Sequence, residues 1–172
     1  MRGRVYIVSG PAGIGKSTTA RKLAEELNKS AYISGDIISH MPVSGREKPW
    51  ESNVAQELIW KNIISLTNNF LAADYDVIID WIAFWTDVEK YTLQWIERGI
   101  EVRFVVLWAE KDIHLNRDSQ RPAHFQMGER VLILRNEFHS SEIQPRFFLD
   151  NTTLNLKDAV QIIQKRDDYL VT

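Results

Sequence analysis

The sequence predicts an α/β protein, a five-stranded parallel sheet with helices on both faces. Three observations carry this reading. The short apolar runs lack strict alternation, as strands buried on both faces do. Stretches with apolar residues three and four apart separate those runs, as helices between parallel strands would. A glycine-rich segment, residues 10–17, stands at the first junction between the two patterns.

Residues 5–8, Val-Tyr-Ile-Val, form the first strand, ended by Gly10 and Pro11. After it Ala20, Leu23, Ala24 and Leu27 recur at helical spacing. Residues 31–33 make a brief second strand, closed by Gly35. Residues 51–73 read as a long helix, with Val54 and Leu58, Ile59 and Ile63, Trp60 and Ile64, and Phe70 and Leu71 on buried faces. Residues 77–79 are the third strand. Val88, Tyr91, Thr92 and Trp95 mark another helix, with Gly99 as its C-cap. Residues 102–108 are the fourth strand and residues 147–149 the fifth. A last helix carries Leu156, Ala159, Val160 and Ile163 on one face, and Asn155 is placed to cap it. Two stretches break the pattern. Residues 36–50 are rich in Gly, Pro and charge, and residues 117–128 carry Arg117, Arg121, Pro122 and Gly128. Long irregular segments in a compact α/β protein are often functional loops.

Length and composition narrow the function. A chain of 172 residues fits one domain, residues 1–172, and 44% hydrophobic content allows a real core. Lys and Arg number 21 against 23 Asp and Glu, a net charge of −2, so neither nucleic acid nor an anionic membrane is expected as the main partner. With no cysteine there is no disulfide scaffold, no thiolate zinc site and no Cys nucleophile. The first residues, Met-Arg-Gly-Arg, run into a strand without a signal-peptide pattern, and no apolar run has membrane-helix length, so a cytoplasmic protein is expected. The histidines, His40, His114, His124 and His139, include no His-x-x-x-His pair, which argues against a histidine metal site. His40 reads as a solvated loop histidine.

Residues 10–17 spell Gly-Pro-Ala-Gly-Ile-Gly-Lys-Ser, the pattern G-x-x-x-x-G-K-S between a strand and a helix. That context points to a phosphate-binding loop for ATP, or another purine nucleoside triphosphate, with Mg²⁺. Glycines let the backbone bend around phosphates, so that successive N–H groups and the positive end of the helix face the anion. The candidate cofactor-binding residues are therefore Gly10, Pro11, Ala12, Gly13, Ile14, Gly15, Lys16, Ser17 and Thr18. Lys16 would reach the β- and γ-phosphates, Ser17 the Mg²⁺ and Thr18 the α-phosphate. A GTPase would need N-K-x-D, and residues 28–31 read Asn-Lys-Ser-Ala. An AAA-type ATPase would usually end its third-strand motif in Asp-Glu, whereas Asp80 is followed by Trp81, which favours an organic acceptor over dedicated hydrolysis.

The chain resembles the small P-loop kinases related to nucleoside monophosphate kinases, a group that includes shikimate kinase, gluconate kinase and chloramphenicol phosphotransferase. The resemblance rests on residues 10–17, Ser34-Gly35-Asp36, residues 77–80, the Arg117/Arg121 segment and residues 149–152. Gly35-Asp36 through Gly45 and Lys48-Pro49-Trp50 looks like gluconate kinase, while Gly35-Asp36-Ile37-Ile38 with Met41-Pro42 looks as much like chloramphenicol phosphotransferase. The resemblance implies a three-layer P-loop fold with strand order 2-3-1-4-5, an acceptor-binding segment near residues 36–60 and an arginine-bearing lid near residues 112–128. It also implies that Asp36 serves as a base or as an acceptor anchor.

The residues themselves argue in the same direction. An alcohol must lose a proton as it attacks a phosphoryl group, and Asp36, at the carboxyl edge of the sheet, is placed to take it. Asp80 ends the third strand and joins Ser17 as a candidate for Mg²⁺. Arg117 and Arg121 are four apart, as lid arginines that stabilise the transferring phosphoryl would be, and Arg130 is a weaker candidate. Trp60 belongs to a helical core stripe, whereas the Trp81–Trp85 group either lines an acceptor pocket or packs in the core. The expected function is transfer of the γ-phosphate of ATP to a hydroxyl of a small molecule. A nucleoside or nucleotide kinase, and an ATP-binding regulator without an acceptor, are the alternatives.

Overall fold

The computed structural model describes residues 3–123 and 126–172. His124 and Phe125, two positions of the expected lid, therefore lie outside the described residues. Five strands, β1 (Val5–Ser9), β2 (Ser30–Ser34), β3 (Asp76–Asp80), β4 (Val102–Trp108) and β5 (Phe148–Asp150), form one parallel sheet in the order β2-β3-β1-β4-β5. This is the expected order, and the first strand is central and buried at every residue.

The helices are α1 (Lys16–Glu26), α2 (Gly35–Ser39), α3 (Asn53–Ala72), α4 (Trp85–Ile96), α5 (Lys111–Ser119), α6 (Glu129–His139) and α7 (Leu156–Lys165). Right-handed crossovers fix their sides. The chain steps one way across the sheet from β1 to β2 and the other way in each later crossover, so α1 covers one face and α3 to α6 the other. After β5 the chain returns, and α7 packs beside α1. On the opposite face Trp60 of α3 stacks on Tyr91 of α4 at 4.8 Å, and the buried Trp95 donates from Nε1 to Asn68 Oδ1 at 2.9 Å. The short β5 leaves the start of β4 unpaired on that side, and Val171 fills the place by donating its N–H to the Val102 carbonyl at 2.9 Å.

Caps fall where residue chemistry puts them. Ser52 accepts from the Ala55 N–H at the start of α3, and Asn155 accepts from the Asp158 N–H at the start of α7, each worth about 1 kcal/mol. Gly99 adopts φ 72° just past α4 and ends it as expected.

Three expectations are corrected. Val54 and Leu58 are 75% and 51% exposed rather than buried. At about 100° per residue, Ile59, Trp60, Ile63, Thr67 and Leu71 cluster on one side of α3, and Val54 and Leu58 fall roughly opposite its centre. Residues 36–50 are not irregular throughout, because the chain turns into α2 directly after β2. Arg117 likewise stands on a regular helix, α5, and only residues 120–128 of the second stretch lie between helices.

Candidate active site

The phosphate-binding loop leaves β1 through Gly10 at φ 133°, a conformation that L side chains rarely adopt. A Cβ there would also stand 2.6 Å from the Leu107 carbonyl oxygen, so β4 excludes any larger residue. Ser9 closes the neighbouring gap. Its hydroxyl donates to the Ala83 carbonyl at 2.8 Å and accepts the Ala83 N–H at 2.9 Å, which pins the loop after β3 to the end of β1. Lys16 is buried at the first residue of α1 and donates to the Pro11 carbonyl at 3.1 Å. Burial pushes its pKa below the usual lysine value, and the charges of Asp80 and Asp36 oppose that shift. Ser17 and Thr18, the next two residues of α1, are exposed.

Asp80 is buried at the end of β3, where its Oδ2 accepts the Tyr32 hydroxyl at 2.6 Å. Burial and that carboxylate push the Tyr32 pKa up to about 12. Asp36 sits exposed in the first turn of α2, which Ser34 caps by accepting the Ile37 N–H. His40, the C-cap of this helix, donates from Nδ1 to the Asp36 carbonyl at 2.7 Å.

Of the expected site residues, Lys16, Ser17, Thr18, Asp36, Arg117 and Arg121 line one cleft of about 1050 Å³, whereas the buried Asp80 is not part of its lining. Asp36 and Arg121 are both near enough to Lys16 to act on its charge. Trp50, Trp81 and Phe84 add aromatic wall to the cleft. The alternatives left open for the aromatic group therefore resolve residue by residue. Trp81 and Phe84 line the cleft, while Trp60 is core and Trp85 stacks on Phe147 at 5.1 Å.

Trp81 lies flat against Gly35, where an added Cβ would come within 2.3 Å of the indole ring. Gly35→Ala must push this wall outward and should cost about 1–3 kcal/mol. Thermal unfolding tests it, and an unchanged midpoint would mean that the indole has room to move.

The two arginines expected in a lid differ. Arg117 donates to Asn151 Oδ1 at 2.8 Å, to the Asn151 carbonyl at 2.9 Å and to the Thr152 carbonyl at 3.2 Å, which ties α5 to the loop after β5. Asn151 in turn donates to the Ile14 carbonyl of the phosphate loop at 3.4 Å. Among the described residues, the Arg121 side chain pairs with Asp118 at 3.3 Å. Asp118 is buried and also accepts the N–H groups of Met127 and Gly128, so it closes the turn into α6. Arg130 lies over the Trp50 ring at 5.2 Å and pairs with Glu137 at 3.5 Å. Sequence reasoning missed His114 and Asn151 as parts of the site because their partners in residues 12–14 lie more than a hundred residues away, and it missed Asp118 because bonds to the backbone N–H groups of Met127 and Gly128 leave no residue pattern.

The comparisons with known proteins come to the same fold. A family model described as an AAA domain matches residues 5–134. A cytidylate kinase of Saccharolobus islandicus is 25% identical over 164 residues, covering 91% of this chain and 80% of that one. Among solved structures, a sugar kinase from Janibacter sp. superposes with a TM-score of 0.73 at 17% identity, covering 97% of this chain and 95% of that one. A gluconokinase from Sinorhizobium meliloti gives 0.68 at 20% identity, covering 93% and 88%. A tunicamycin resistance protein from Deinococcus radiodurans gives 0.62 at 19% identity, covering 99% of each. The family match and these neighbours bear out the resemblance to the small P-loop kinases drawn from the sequence. The family match spans the phosphate loop, the sheet edge and α5.

Proposed function

The chain belongs to the AAA domain family, and on that premise we propose that it transfers the γ-phosphate of ATP to a hydroxyl group of a small molecule. The observation that carries the proposal is a carboxylate, Asp36, in the same cleft as the phosphate-loop lysine, a cleft that Trp50, Trp81 and Phe84 also line. Asp36 orients the acceptor hydroxyl and takes its proton as the oxygen attacks. Lys16 and the loop N–H groups hold the β- and γ-phosphates in line. Ser17 and Asp80 offer a hydroxyl and a carboxylate, the oxygen donors that Mg²⁺ takes, and would hold it at the sheet edge. Bound there, the ion would neutralise charge on the phosphate oxygens.

The cations near the acceptor end favour a hydroxyl over a phosphate. Arg46 donates from Nε to the Ser39 carbonyl at 2.8 Å, Lys48 pairs with Glu51 at 3.0 Å and Arg130 with Glu137. An acceptor phosphate would need several such groups turned toward it together. The likeness to a cytidylate kinase supports a second reading, transfer to a nucleoside monophosphate. Offering purified protein ATP, Mg²⁺ and a panel of polyols, sugar acids, hydroxylated aromatics and monophosphates separates the two. Faster turnover of a monophosphate than of any hydroxyl acceptor would establish the second.

The two arginines have different partners, which supports different work for each. Arg121 stabilises charge on the transferring phosphoryl, so Arg121→Ala should lower kcat roughly 10–100-fold with little change in nucleotide affinity. Arg117 holds the loop after β5, so Arg117→Ala should raise the KM for ATP and cost about 1–3 kcal/mol of stability. Steady-state kinetics with a working acceptor checks both, and the opposite split would exchange the roles.

A further inference from the structure

We propose that His114, locked by Arg135 into the Nε2–H tautomer, is the positioning residue that keeps the phosphate loop shaped for nucleotide. This rests on the reading that residues 10–17 bind a nucleoside triphosphate. His114 stands on α5, fully buried, and its Nε2 lies 2.7 Å from the Ala12 carbonyl oxygen. Its Nδ1 lies 3.1 Å from Arg135 Nη1 on α6. Each neighbour has only one possible role. A carbonyl accepts and never donates, and a guanidinium donates and never accepts. Nδ1 must therefore carry the lone pair and Nε2 the proton.

Arg135 is itself anchored. It donates from Nη1 to the Ala109 carbonyl at 2.9 Å, and its guanidinium lies 4.4 Å from the centroid of the Trp108 ring at the end of β4. The chain of contacts thus runs from the sheet through α6 and α5 to the middle of the phosphate loop. Asp118, on the same helix as His114, reinforces it, since its Oδ1 would be 3.0 Å from a Cβ at Gly13. Held in this way, the Ala12 carbonyl is turned to α5. Released, that peptide unit could rotate and present a lone pair where an anion must bind. The connection also joins the loop to both helices that flank residues 120–128, so the loop and the base of the lid are held as one unit.

The groups facing the ring fix how this contact responds to pH. Arg135 faces it from α6, Lys16 from α1, Asp118 from its own helix and the Ala12 carbonyl from the loop. Burial, Arg135 and Lys16 hold its pKa below the ordinary 6.5, against the carbonyl and Asp118. A second proton on the ring would point an N–H at the Arg135 guanidinium and break the contact. The contact is therefore complete above the ordinary histidine value and is lost as pH falls through the lowered one.

The test uses the full chain and a fluorescent ATP analogue, titrated between about pH 5.5 and 8. His114→Gln keeps a donor and an acceptor on one planar group, whereas His114→Phe keeps the packing and loses both. Phe should weaken nucleotide binding roughly 10–100-fold at the alkaline end, and Gln should restore it to within about threefold. The γ-phosphate itself titrates near pH 6, about where a histidine does, but equally for every variant. The His114→Gln protein should therefore show a shallower acid-side loss of affinity than wild type. Equal affinity for wild type and His114→Phe, or parallel pH profiles for wild type and His114→Gln, would overturn the proposal. If His114→Phe does not fold, Arg135→Gln serves instead. It lets the ring take the other tautomer and should weaken binding without touching the loop, and unchanged affinity there would overturn the proposal as well. Wild type that fails to bind the analogue at any pH would defeat the phosphate-loop reading itself.

Discussion

Lys16→Ala is expected to weaken ATP binding and to lower phosphoryl transfer by at least ~100-fold. The ammonium is buried at the first residue of α1, where little water competes with a phosphate for it. It donates to the Pro11 carbonyl, with Asp80 and Asp36 as the nearby anions that favour its charged form. Alanine removes the only lysine in residues 10–17 and leaves the loop with its N–H groups alone. The surrounding fold should survive, because the substitution leaves the glycines and the Ser9–Ala83 contacts in place. Titration of a fluorescent ATP analogue against both proteins, with circular dichroism as the fold control, checks the result. Equal affinity and equal turnover would remove the phosphate-loop reading.

Asp36→Asn is expected to keep ATP binding and to lose transfer by roughly 10²–10⁴-fold, the contribution typical of a general base. Asn preserves the shape and leaves the Ser34 cap of α2 intact, but it cannot accept a proton at neutral pH. The loss should therefore fall on kcat, with the KM for ATP little altered. A monophosphate acceptor is already an anion and needs no base, so the same substitution would leave its phosphorylation fast. Running both acceptor classes on wild type and Asp36→Asn turns the acceptor question into a comparison of rates within one protein.

How much of this was legible in the sequence follows from where each signal resides. The strands were legible because β1, β3 and β4 are buried on both faces and their centres read as apolar runs, with Arg103 the one charge inside β4. The phosphate loop was legible because its chemistry is local, eight consecutive residues between a strand and a helix. Helix α5 was not, since its buried residues are His114 and Asp118, and a search for apolar periodicity passes over a helix whose inner face is polar. Helix α6 did carry a signal in Val131, Leu134 and Phe138, but the exposed Leu132 and Ile133 blurred it. The same blurring put Val54 and Leu58 on the wrong side of α3, a helix with apolar residues nearly all round. The division of labour between Arg117 and Arg121 was beyond reach, because the partners of Arg117 lie more than thirty residues away across the sheet edge.

Phosphorus NMR of wild-type protein with ATP, Mg²⁺ and the acceptor panel follows the γ-phosphate to its destination. The cleft that joins Lys16 to Asp36 predicts a new phosphate monoester on a hydroxyl acceptor, formed as ADP appears and in equal amount. A γ-phosphate that ends on a nucleoside monophosphate, or only as inorganic phosphate whatever acceptor is present, would contradict it.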